Sequence, residues 1–195
     1  MKIVSVDPSV KKYFLDFIKE KKSHKLKSPG EDISKTNFVV GESPLYEDEL
    51  RKLFSEHLEE YIPLESYKLT QIWYQWYEKN SNSFHGFHHH ESWDSQVSAI
   101  YYLKLEDPSL RTEFLDKGSS PQFGKIYVPP VEEGDMILFD AAIDHRSPHN
   151  KFDCDKIILS FNLQTDASSE LAASLSEGAE TPPQATSITS SEGKT

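Results

Sequence analysis

The chain has 195 residues, 36% of them hydrophobic, and a formal net charge of −11. That is enough for one domain with a proper core, and the charge is wrong for a nucleic-acid partner, whose backbone needs a basic stripe. No apolar run approaches the roughly 18 residues a membrane span requires. The opening residues lack the apolar stretch and small-residue cleavage site of a signal peptide. Cys154 is the single cysteine, so no internal disulfide forms. A cytoplasmic protein without nucleic-acid or membrane partners is expected.

Taken in order, residues 10–26 read as a short amphipathic helix with Val10, Tyr13, Phe14, Phe17 and Ile18 on one stripe. Seven lysines between positions 10 and 27 oppose only Asp16 and Glu20, a run that reads as a solvated helix face. Residues 28–36 form a loop, with Pro29-Gly30 as its turn signal. A second helix is expected from Ser43, a hydroxyl N-cap followed by Pro44. It carries Tyr46, Leu50, Leu53, His57 and Tyr61 at helical spacing and ends at Pro63, with His57 a packed helix residue. Tyr67–Tyr77 is aromatic-rich and alternating, as a half-buried strand should be. Residues 96–105 are a second strong strand, and shorter ones are expected at 112–115, 125–128, 135–139 and 156–164. Strands at this spacing, punctuated by Gly, Pro and Asp, point to a mainly β barrel or sandwich behind a helical cap. One domain is expected over residues 1–166, with 1–66 the cap and 67–166 the β core. Residues 167–195, rich in Ser, Thr and Ala and free of aromatics, carry too little apolar surface to offset ordering entropy and read as a disordered tail.

The chemistry concentrates between Phe84 and Leu103. His85, His88, His89 and His90 stand beside Glu91 and Asp94, directly before a strand. Imidazoles and carboxylates packed at a strand mouth are the donor set of a mononuclear metal site. A non-haem iron site takes two imidazoles and one carboxylate on one face. His89-x-Glu91 supplies two donors pointing the same way from an extended segment. His145 follows the turn Gly134-Asp135 and the apolar strand ending at Phe139, and supplies the third. The register stays open, because three consecutive histidines also permit His88-x-His90 with Asp94 as carboxylate. His149 competes with His145.

These segments, in order, are His89-His90-Glu91, the run from Ser98 to Leu103, Gly134-Asp135 through Phe139, His145, Lys156, and Ser160-Phe161-Asn162. Over roughly residues 67–164 the pattern resembles the 2-oxoglutarate- and Fe(II)-dependent oxygenases, most closely the small prolyl-hydroxylase-like members common in phage and bacterial genomes. The resemblance implies a double-stranded β-helix (jelly roll) with N-terminal helices packed on it. Iron would be held by His89, Glu91 and His145. The far carboxylate of 2-oxoglutarate would sit against Lys156, with Tyr77, Tyr101, Ser160 and Asn162 around the co-substrate and Phe87, Trp93 and Arg146 on the substrate side. It also implies hydroxylation of an unactivated C–H bond in a peptide, protein side chain or small molecule, consuming O2 and releasing succinate and CO2. For a phage-encoded chain the address is the host cytoplasm. The chain departs from the family at three points. Lysine replaces the commoner arginine anchor, so a hydroxyl or phenol is expected to help hold the carboxylate; Ile158 stands where relatives carry Ser or Thr; and the carboxylate ligand is Glu. Two other readings compete: a cupin-like jelly roll, as a Zn/Mn enzyme or a binding module, and a barrel that is only a scaffold. Lysines also guard sheet edges, which gives Lys156 a plain alternative.

Overall fold

The structure, a computed structural model, describes residues 1–39, 46–62, 66–90, 96–116 and 124–165. The chain runs β1 (Lys2–Ser5), α1 (Pro8–Glu20), β2 (His24–Ser28), β3 (Glu31–Thr36), α2 (Glu47–His57), β4 (Tyr67–Tyr77), β5 (Phe84–His88), β6 (Val97–Leu105), β7 (Glu113–Asp116), β8 (Lys125–Tyr127), β9 (Asp135–Asp140), β10 (His145–Ser147) and β11 (Lys156–Thr165). The strands form one curled antiparallel sheet in the order β1-β9-β6-β11-β4-β3-β5-β10-β7-β8, with β2 paired to β3. This is the mainly β architecture expected from the strand spacing and the jelly roll implied by the resemblance, with the two α-helices of the described residues laid on its outside.

The long central strands are buried on both faces, and their period of two sorts residues into two cores. Ile157, Leu159, Phe161 and Leu163 of β11, with Ala99, Tyr101 and Leu103 of β6, face the helices. There Phe14 of α1 meets Tyr101 edge-on at 6.2 Å and Phe54 of α2 meets Phe161 at 5.0 Å. Burying a phenylalanine in this way stabilises by roughly 1.5–3 kcal/mol. The opposite set, Ile158 with Ile100, Tyr102, Phe114 and Phe139, fills the barrel. Lys156 and Ser160 share the parity of Ile158, so the same alternation that builds the helix-side core turns them inward.

α1 begins as its composition demands: the Asp7 side chain accepts a hydrogen bond from the Ser9 amide at 2.8 Å, and Pro8 occupies the first turn. It ends six residues earlier than expected, where Lys21 turns extended. Residues 28–36 are not a loop: Pro29-Gly30 closes the β2–β3 hairpin, whose strands carry so few apolar residues that the alternation is invisible. The described residues among the first 66 thus contribute three strands as well as two helices. α2 starts at Glu47, after Tyr46 in the left-handed region (φ 78°). It ends at His57, short of the expected stop at Pro63, with Tyr61 in the turns that follow; Ser43, Pro44 and Pro63 themselves lie outside the described residues, as does the tail. His57 packs its ring on Tyr13 at 4.6 Å. No helix among the described residues is long and apolar enough to cross a membrane.

Candidate metal centre and co-substrate cleft

His145 on β10 lies directly opposite His88 on β5 in the antiparallel ladder. Opposed residues of such a pair project to one face, and the two rings stand 4.3 Å apart. His90, two residues past His88, keeps the same parity and brings its ring 4.9 Å from His88 and 5.2 Å from His145. Its backbone is tied across by a 2.9 Å bond from the His90 amide to the Ala141 carbonyl, and its ring packs edge-on to Trp73. One ring nitrogen from each of His88, His90 and His145 lies within 4.8 Å of the other two. Coordination at about 2.0–2.1 Å places ligand nitrogens roughly 3–3.5 Å apart, so closing the group around an ion takes a movement of an ångström or so.

The chemistry of the donors fits. His88 Nδ1 donates to the Gly86 carbonyl at 2.8 Å and His145 Nδ1 to the Ile143 carbonyl at 3.0 Å. Each bond leaves Nε2 as a bare lone pair, the tautomer a metal requires. Burial, reinforced by crowding among the rings, pulls His90 down to about 3 and His145 well below its ordinary value, and lowers His88. All three are therefore neutral near pH 7.

The expected pairing of His89 with Glu91 is revised for its first member. His89 points the other way, half exposed, with Nδ1 2.9 Å from Asp144 Oδ1. It staples the segment of His88 and His90 to the residue before His145. Glu91, Trp93 and Asp94 lie outside the described residues. His149 is also apart, stacked on Phe84 at 4.2 Å.

A cleft of about 260 Å³, partly open to solvent, runs past these rings between Trp73, Gln75, Tyr77, Thr112, Ser147 and Ser160. Behind it lies Lys156, wholly buried. Its Nζ donates to Ser147 Oγ at 2.8 Å, has Thr112 Oγ1 at 3.5 Å, and stands over the rings of Tyr77 and Tyr102 at 5.4 and 5.8 Å. Burial drops its pKa to about 7, with Glu113 opposing the fall weakly. No carboxylate pairs with it among the described residues, so the site holds a buried amine whose ammonium form an incoming anion would stabilise.

The other expected positions divide. Tyr77 and Ser160 line the cleft, whereas Tyr101 does not: its parity turns it onto Phe14, under the helices. Asn162 is engaged farther along β11, accepting from Ser98 Oγ and donating to Gln71. Arg146 lines the cleft despite its alternation from His145. Its Nε donates to Glu113 at 2.6 Å, and its guanidinium lies 4.6 Å over the exposed ring of Phe87. Cys154 is partly buried, and burial raises its pKa.

His85 is the residue the motif did not single out. Between the paired positions His88↔His145 and His85↔Ser147, β5 carries three steps against two on β10, a bulge. The extra residue turns His85 onto the ligand face, where it stacks on His88 at 3.7 Å. The legible signal was Gly86, an isolated glycine in a strand.

No family profile matches the chain, and neither does any curated protein. Solved structures do. The non-haem α-ketoglutarate-dependent epimerase SnoN from nogalamycin biosynthesis aligns with a TM-score of 0.59 at 15% identity, covering 94% of this chain and 88% of its own. A prolyl-4-hydroxylase from Pseudomonas putida aligns at 0.53 and 12%, covering 85% and 92%. HygX from Streptomyces hygroscopicus, solved with nickel and 2-oxoglutarate bound, aligns at 0.58 and 12%, covering 86% and 84%. At these identities the likeness is one of fold: the chain shares the jelly roll of these structures, with His88 on β5, His145 on the adjacent β10 and His90 just past the end of β5.

Proposed function

We propose that the protein is a 2-oxoglutarate- and Fe(II)-dependent oxygenase, with the metal held by His88, His90 and His145 and the far carboxylate of 2-oxoglutarate held by Lys156. One observation carries the reading: a fully buried lysine amine with no carboxylate partner among the described residues, whose hydroxyl neighbours Ser147 and Thr112 line the same cleft as the three imidazoles. A cupin that only binds metal has no use for such a lysine. Imidazole suits Fe(II) as well as Ni(II) and Zn(II).

When bound, the iron and co-substrate supply the oxidising chemistry, in which 2-oxoglutarate and O2 become succinate and CO2 while a C–H bond is oxidised. The protein's residues bind and orient. Three neutral imidazoles leave the ion's charge free to attract the anionic keto acid. The Nδ1–carbonyl bonds fix ring orientation. Ser147 and Thr112 hold the Lys156 ammonium toward the cleft, and Trp73, Ile100 and Ile158 keep its wall apolar. We further propose hydroxylation of a peptide or protein side chain, or of a small molecule. The cleft is partly open to solvent, which leaves its mouth reachable by such a substrate. Arg146 and Phe87 would form its substrate-side rim. Succinate followed by NMR tests the proposal: it should form from 2-oxoglutarate only with Fe(II) and O2, and not in His145→Ala. No succinate, together with no binding of 2-oxoglutarate to the metal-loaded protein by calorimetry, would overturn it.

A further inference from the structure

Glu31 opens β3 just past the hairpin turn, far in sequence from the histidines. Gly30, at φ 91°, carries the turn. Its carbonyl accepts from the Gly86 amide at 2.7 Å, and a Cβ at position 86 would lie 2.7 Å from the same oxygen. The hairpin tip is thus docked on β5 where β5 bulges, and Glu31 pairs with His85 in the β3–β5 ladder.

From there a directional chain of contacts follows the cleft wall. Tyr77 Oη donates to Gln75 Oε1 at 3.2 Å. The Gln75 amide nitrogen lies 3.2 Å from His85 Nδ1, so it donates and the His85 proton resides on Nε2. His85 Nε2 lies 3.3 Å from Glu31 Oε2, while Glu31 Oε1 accepts from Ser28 Oγ at 2.6 Å. Both ring nitrogens of His85 are committed, so the ring is no ligand itself. Its face instead covers the ring of His88 at 3.7 Å with 19° between the planes.

We propose that Glu31 is a positioning residue for the metal centre: through His85 it fixes the plane of the ligand His88 ring from the face that no backbone bond restrains. The proposal rests on the metal reading above, and it gives the β2–β3 hairpin a role in metal affinity. Outer partners of ligating histidines typically change metal affinity by about 10–100-fold.

Co(II), whose visible absorption reports affinity and ligand geometry, is the probe, titrated into wild type, Glu31→Ala, Glu31→Gln, His85→Phe and the Glu31→Ala/His85→Phe double variant. Glu31→Ala should weaken Co(II) by about 10-fold or more and alter its band. Glu31→Gln should stay near wild type, because its amide oxygen can take the same place about 3.3 Å from His85 Nε2. His85→Phe keeps the stacked ring but drops the link, so the double variant should lose little beyond His85→Phe alone. Additive losses, or Glu31→Ala binding Co(II) as wild type does despite a lowered melting temperature, would overturn the proposal. Absence of any Co(II) band in wild type would bring down the metal reading and this one with it. A normal wild-type band that Glu31→Ala leaves unchanged would bring down this one alone.

Discussion

Replacing Lys156 with methionine should push fold stability and co-substrate binding in opposite directions. The side chain is fully buried and its pKa falls from 10.5 to about 7 on burial. That fall corresponds to about 5 kcal/mol held against the ligand-free fold, since each tenfold loss of proton affinity is worth about 1.36 kcal/mol. The sign follows from proton counts. Between about pH 7 and 10.5 the unfolded chain carries the lysine proton and the folded chain does not, so stability rises with pH across that window. Below pH 7 the full penalty applies. Methionine removes the charge at similar volume but strands the Ser147 hydroxyl, the 2.8 Å partner, at about 1–3 kcal/mol. The net expectation near pH 7 is a ligand-free protein more stable by about 2–4 kcal/mol in urea unfolding, with the pH slope abolished. Removing one partner of a buried ion pair costs about 3–5 kcal/mol, so 2-oxoglutarate should bind about 100-fold more weakly or worse by calorimetry. In wild type that affinity should fall about tenfold per pH unit above pH 7, as the free lysine loses its proton. A Lys156→Met protein that is destabilised and binds 2-oxoglutarate undiminished would refute the assignment.

His88→Ala should abolish Fe(II) or Co(II) binding, while His89→Ala should retain it within an order of magnitude, because His89 touches Asp144 and not the group; equilibrium metal titration decides between them. Gly86→Ala forces a methyl against the Gly30 carbonyl 2.7 Å away, and should cost about 1–3 kcal/mol by denaturant unfolding as the hairpin tip lifts. Phe161→Ala opens a cavity between Phe54 and the helix-side core, and should cost about 3–5 kcal/mol, with metal affinity nearly unchanged because the residue faces away from the cleft.

The sequence made the long strands legible because packing on two faces demanded it. β4 matches its expected span and β6 and β11 differ by a residue at one end, since continuous apolar and aromatic runs have no other stable use. Short strands were illegible for the opposite reason. β1, β5 and β10 are only three to five residues long, too short for an alternation to show, and they are strands because neighbours complete their ladders. At the site, residue types and the distant partner His145 could be read, but parity could not. Three histidines in a row present one to each face and one back again, and only the opposition of His88 to His145 picks a face. The bulge that recruits His85 lay further from view, because it depends on a hairpin more than fifty residues upstream meeting Gly86. Tyr101 was misplaced for the same reason: adjacent tyrosines in β6 face opposite cores, and counting back from Lys156 does not say which faces inward.

The central claim is that a metal on His88, His90 and His145 and the cation of Lys156 together bind one 2-oxoglutarate. Anaerobic visible spectroscopy of the metal-free protein, titrated with Fe(II) and then 2-oxoglutarate, tests it most directly. The account predicts a charge-transfer band that needs both additions, vanishes in His88→Ala, survives in His89→Ala, and requires far more 2-oxoglutarate in Lys156→Met. Bound Fe(II) with no such band at any concentration of 2-oxoglutarate would contradict it.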